Sequence, residues 1–187
     1  MEETSIIISG FGGQGTLFAG QVLAYTALDN GFEVTWIPSY GPEMRGGTAH
    51  CTVIVSEEPI GSPLVRHPDI VLAMNLPSVD KYESVMPEGG ALIANSSLVN
   101  REIERENIDS LLIPANEIAE TIGMSRLGNM VMIGAMIKIR PLFSLEMTQE
   151  SLKSHIPERH QKTLPLNFEA LEKGYKFAEE EFSAIKV

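Results

Sequence analysis

The sequence predicts an open, three-layer α/β fold around a mostly parallel sheet, and three observations carry that expectation. Apolar runs of strand length alternate with segments of helical period almost from end to end. Residues 69–75 hold an uninterrupted apolar stretch, the pattern of a strand covered on both faces. Glycine and proline punctuate the segments, at Gly31, at Pro87-Glu88-Gly89-Gly90 and at Pro141. Repeated strand–helix–strand order calls for parallel strands joined by right-handed crossovers.

Residues 5–9 read as the first strand, followed by a glycine-rich turn and a helix over 16–30 that stops at Gly31. A second strand covers 33–38 and runs into Ser39-Tyr40-Gly41-Pro42. Residues 48–56 alternate and are rich in Thr and Val, as a half-buried strand does. After the apolar strand at 69–75, Ser78 is the expected cap of a helix. Strands follow at 91–95 and 111–113, with a charged helix over 101–106 between or beside them. Asn116 is expected to cap a helix ending near Gly123, and Asn129 to cap a helix over 129–139 that is apolar on nearly every side. Beyond Pro141 a C-terminal helical arm, residues 141–187, is expected, with an extended connection between Pro157 and Pro165. Its last helix carries Phe168, Leu171, Tyr175, Ala178 and Phe182 at i, i+3, i+4 spacing, and this helix or its proline-flanked lead-in is expected to dock on a partner chain. The whole of 1–187 reads as one domain.

Composition narrows the function. The chain has 187 residues and a net charge of −11. That balance argues against nucleic acid and against a membrane surface, since both favour a basic face. The single cysteine, Cys51, leaves too few thiolates for an iron–sulfur cluster, and four scattered histidines support no zinc site. No apolar run is long enough to span a bilayer, and Met1-Glu2-Glu3 is no secretory leader, so a cytoplasmic location is expected.

Gly10-Phe11-Gly12-Gly13-Gln14-Gly15 satisfies G-x-G-x-x-G between a strand and a helix. Glycines there permit a tight turn that shows backbone N–H groups at a helix start, where the dipole favours an anion. A dinucleotide site also needs an acid at the end of the second strand to hold the ribose. That strand ends Ile37-Pro38-Ser39-Tyr40, and Glu33 lies at its wrong end. Four readings remain open: anion contact, partner contact, glycines that only allow close packing, and a nicotinamide or flavin dinucleotide despite the missing acid, so a free-standing nucleotide-binding dehydrogenase and a non-catalytic interaction module stay as alternatives.

A second loop, Tyr40-Gly41-Pro42-Glu43-Met44-Arg45-Gly46-Gly47, is expected at the same carboxyl edge. The glycines leave Arg45 unshielded, so its guanidinium fork is able to reach a phosphate or carboxylate, or to pair with Glu43. Tyr40 either stacks on a ring or plugs a crevice. His50 and Cys51 are neighbours on a strand and face opposite ways, which argues against a catalytic pair and for Cys51 in the core. Asn75 and Asn95 end strands as turn formers, and Glu179-Glu180-Glu181 is a solvated face. No nucleophile, base and orienter come together, so catalytic residues are expected to be absent from this chain.

The two loops, followed by Asn129-Met130 and Gly134-Ala135, resemble the gamma subunit of 2-oxoacid:ferredoxin (acceptor) oxidoreductases over about residues 5–171. The wording Tyr-Gly-Pro-Glu-Met-Arg-Gly-Gly is most similar to 2-oxoglutarate-type enzymes. The resemblance implies a Rossmann-like fold and a subunit that is inactive alone. It further implies alpha, beta and delta partner subunits, with thiamine diphosphate and iron–sulfur clusters held on those partners. Electrons would leave to ferredoxin or another acceptor, and coenzyme A would act as co-substrate at a subunit edge. By position, Gly10, Gly12, Gly13, Gln14, Gly15, Tyr40 and Arg45 are the residues it assigns to that coenzyme or intersubunit edge.

Overall fold

Ile6, Ile7 and Ile8 put branched side chains on both faces of β1 (Thr4–Phe11), and all three are buried because this strand lies inside the sheet. The computed structural model describes residues 3–40 and 47–185, apart from the side chains of residues 40 and 183–185. The other strands are β2 (Glu33–Tyr40), β3 (Thr48–Ser56), β4 (Ile70–Ala73), β5 (Ala91–Asn95) and β6 (Asp109–Ile113). They form one sheet in the order β2-β3-β1-β4-β5-β6. β1, β4, β5 and β6 are parallel, whereas β3 runs antiparallel to both β1 and β2. Since β3 reverses twice, β2 points the same way as β1, and the loops that follow both strands leave from one edge.

Helices cover the two faces unequally. α1 (Thr16–Asp29) and α4 (Gly128–Ile139) share one core with Ile6, Ile8, Leu72 and Ile93. α2 (Leu76–Tyr82) covers the other face with Ile7, Val71 and Leu92. α3 (Ala115–Thr121), α5 (Leu145–His155) and α6 (Leu164–Ile185) complete the thicker side. Almost every residue of α4 is buried, which is what an all-round apolar helix requires. α6 lies along it, with Ala170, Leu171 and Ala178 buried, so the apolar stripe of the last helix is turned onto α4 of the same chain.

Several expectations are corrected. Residues 101–106 form no helix. The buried Glu83 carboxylate accepts the backbone N–H of Glu104 (2.5 Å) and of Arg105 (3.1 Å) and an Arg101 Nη2 bond of 2.8 Å. Those contacts take the donors that a helical turn would use. α2 is capped by Asn75, whose Oδ1 accepts the Ser78 N–H at 3.0 Å; Ser78 itself lies inside the helix. α3 begins one residue before Asn116, and α4 begins at Gly128, so Asn129 is not its cap. Residues 145–155, assigned no element from the sequence, are α5; its apolar positions are sparse, but Ser144 accepts the Met147 N–H at 3.1 Å as its cap. Between Pro157 and Pro165 the chain makes a 3₁₀ turn, Glu158–Thr163, rather than an extended strap.

Candidate functional site

The site grows out of the turn that ends β1. Gly12 donates its N–H to the Gly47 carbonyl at 2.9 Å, so the glycine turn and the returning end of the second loop are in direct contact. Tyr40 closes β2 opposite Ala49. The side chain of Tyr40 and the whole of Arg45 lie outside the described residues. Gly13 and Gly15 have φ of 101° and 77°, a region that only glycine enters freely. Gly15 occupies the N-cap position of α1 and no side chain caps that helix, nor is there an acid in its first turn. The first amides of α1 therefore have no intrahelical acceptor.

Gln14 braces the turn. Its Oε1 accepts the Phe11 N–H at 2.5 Å and its Nε2 donates to the Met74 carbonyl at 3.2 Å, across to the end of β4. Gly10 makes that fold-back possible, since a Cβ there would stand 2.5 Å from Gln14 Oε1 and 2.9 Å from Met74 Cβ. A third residue joins from α4: Asn129 Nδ2 donates to the Gly15 carbonyl at 3.1 Å. From the sequence, Asn129 reads as a helix cap; its reach to a turn over a hundred residues earlier has no local signal.

The neighbouring edge is polar and closed. Ser78 Oγ stands 2.7 Å from Asn75 Oδ1 and 2.9 Å from Ser9 Oγ. Asn95 Oδ1 accepts the Ala115 N–H at 3.1 Å, and its Nδ2 donates to Asn116 Oδ1 at 3.1 Å. Both strand-ending asparagines thus hold turns. α1 leaves β1 toward one face and α2 leaves β4 toward the other, so the order of the sheet switches at this edge between adjacent parallel strands, the place where open α/β sheets bind ligands; here Gln14 bridges the two strand ends.

Cys51 and His50 do face opposite ways. Cys51 is buried against α1, with Sγ 3.3 Å from the Thr16 carbonyl, and burial pushes its thiol up to about 12. His50 is half-buried on the α2 side, 6.4 Å from the Tyr82 ring, and desolvation and then the Lys81 charge hold its pKa below the ordinary value. The thiol therefore stays protonated at neutral pH, and with the two side chains on opposite faces of β3 they form no nucleophile–base pair. Among the described residues no three His, Cys, Asp or Glu side chains come together to hold a metal ion, and no helix is long and apolar enough to cross a membrane.

Known proteins are similar to this chain along most of its length. The chain is 36% identical over 179 residues to the ketoisovalerate oxidoreductase subunit VorA of Methanothermobacter marburgensis, covering 94% of this chain and 37% of that one. It therefore spans little more than a third of that relative. It is 35% identical to the 2-oxoglutarate synthase subunit KorC of Methanocaldococcus jannaschii, covering 94% of each chain. Its fold matches the crystal structure of the keto/oxoacid ferredoxin oxidoreductase gamma subunit from Geobacter sulfurreducens with a TM-score of 0.82 at 30% identity, covering 96% of this chain and 98% of that one. With residues 5–177 matching the family model for pyruvate ferredoxin/flavodoxin oxidoreductase, the chain belongs to that family.

Proposed function

We propose that this chain is the gamma subunit of a multi-subunit 2-oxoacid:ferredoxin (acceptor) oxidoreductase that converts a 2-oxoacid, 2-oxoglutarate by preference, to an acyl-CoA. The alpha, beta and delta subunits carry thiamine diphosphate and the iron–sulfur clusters; this chain contributes an edge beside the coenzyme A site. The observation that carries the reading is the Gly12–Gly47 bond, which joins the two loops at one rim above an α1 start that has no side-chain cap. Similarity to KorC along nearly its whole length supports the choice of 2-oxoglutarate.

The chemistry suits a polyanion. A helix N-terminus contributes about 0.3–1 kcal/mol per nearby exposed negative charge. A charge-assisted bond from Arg45 adds about 1.5–3 kcal/mol. Together these offset the repulsion of a chain carrying −11, which salt screens within about 8–10 Å. Within that edge Gly12, Gly13 and Gly15 offer backbone, Tyr40 and Arg45 offer side chains, and Gln14 acts by holding the turn.

Co-expression with the candidate alpha, beta and delta chains tests the proposal. The chain should co-elute with them on size exclusion, and the complex should form succinyl-CoA from 2-oxoglutarate and coenzyme A while reducing ferredoxin. A chain that stays apart from those subunits, or that binds NAD(P) or FAD alone at micromolar concentration, overturns it.

A further inference from the structure

We infer that Asn129 is a positioning residue for the glycine turn, aiming the first amide of α1 from outside the motif; this rests on reading the turn as the coenzyme edge. Asn129 is buried on α4, and its carboxamide is fixed at both ends: Oδ1 accepts the Met130 N–H at 2.9 Å and Nδ2 donates to the Gly15 carbonyl at 3.1 Å. The Gly15 carbonyl also accepts the Ala19 N–H of its own helix at 2.9 Å. A peptide unit is planar, so the carbonyl of Gly15 and the N–H of Thr16 turn together. Pinning the carbonyl with two donors sets the direction in which the Thr16 N–H points.

The approach depends on residue 15 lacking a side chain, because a Cβ there would stand 2.5 Å from Asn129 Nδ2. Gln14 holds the other flank of the turn to Met74, leaving Gly13 as a crest with nothing within 4 Å of where its Cβ would be. A turn clamped on both flanks and open at its crest is preorganised for a contact made by backbone. The glycine motif supplies the clearance, and Asn129 supplies the orientation.

The test is steady-state kinetics of the assembled complex with Asn129→Asp, which keeps the Oδ1 acceptor and loses the donor, and with Asn129→Ala, which loses it without adding charge. Gly13→Ala, strained by its positive φ, is the reference that disturbs the crest directly. The expected result is a five- to thirtyfold rise in KM for coenzyme A in the Asn129 variants, with KM for the 2-oxoacid within twofold of the parent. A rise in Gly13→Ala without one in either Asn129 variant overturns the positioning role and leaves the coenzyme reading standing. No rise in any of the three variants overturns the coenzyme reading and this inference with it. A parallel rise in both KM values reports general loosening and also overturns the positioning role.

Discussion

Gly134 and Leu171 meet backbone to backbone: a Cβ on Gly134 would fall inside the van der Waals envelope of the Leu171 carbonyl. Gly174 meets the Val131 carbonyl in the same way from the opposite side. The pair lets α4 and α6 approach closely, and a clash with backbone has no flexible side-chain end to relieve it. Gly134→Ala and Gly174→Ala should each destabilise the chain by about 3 kcal/mol or more through overpacking. Urea unfolding of the isolated chain measures this, and an unchanged midpoint in both variants would contradict the packing described.

Glu83 makes a second prediction. Its carboxylate is buried while its partner Arg101 is partly exposed, and it gathers Arg101 together with the amides of Glu104 and Arg105. Asp80 and Glu83 hold the Arg101 pKa above its ordinary value, in that order of weight. Removing the carboxylate strands two amides and leaves Arg101 paired with Asp80 alone, at a cost of about 2–3 kcal/mol, below that of a fully buried pair. Glu83→Ala should therefore lower stability by that amount and speed hydrogen exchange at amides 104 and 105. Retained protection at those amides would show that the loop is ordered by something else.

The strands, the buried α4 and the glycine turn were legible in the sequence because each is dictated by a short apolar or glycine pattern. The antiparallel β3 was not, since alternation in Thr48–Ser56 reports a half-buried strand and not its direction. Residues 101–106 look helical by composition; only Glu83, distant in sequence, takes their amides. α5 is too polar to announce itself, and the stripe on α6 shows an apolar face without saying that α4 receives it. At the site, the contact of the two loops was legible as a shared edge, whereas the Gln14 and Asn129 braces depend on residues far apart in the chain.

Acid should loosen the seam between α1 and α5. The Ser151 hydroxyl and then His155 hold the Asp29 carboxyl below its ordinary value of 3.8, against partial desolvation. Ser151 Oγ makes no hydrogen bond of regular geometry, whereas His155 Nε2 stands 3.0 and 3.1 Å from the two Asp29 oxygens, so the histidine is the better-defined partner. Because the folded pKa is the lower one, this contribution is present above the unfolded value and is lost as pH falls through the folded value. Asp29→Asn should be less stable than the parent at pH 6, and the difference should shrink as pH falls from about 4 toward about 2. Parallel stability curves down to that pH would contradict the pairing.

The buried thiol gives the opposite sign at the alkaline end. Burial raises the folded pKa of Cys51 from 9.0 to about 12, so the folded chain keeps a proton that the unfolded chain releases. Its contribution is complete below pH 9 and declines as pH rises toward 12, at about 1.4 kcal/mol per pH unit once the unfolded thiol is ionised. Other groups titrate over the same range, so the difference between the parent and Cys51→Ala isolates the thiol. That difference should shrink between pH 9 and 11, and the native thiol should resist an aromatic disulfide reagent at pH 8 until denaturant is added. Rapid labelling of the folded chain would mean that the wall formed by α1 over β3 opens far more readily than its packing indicates.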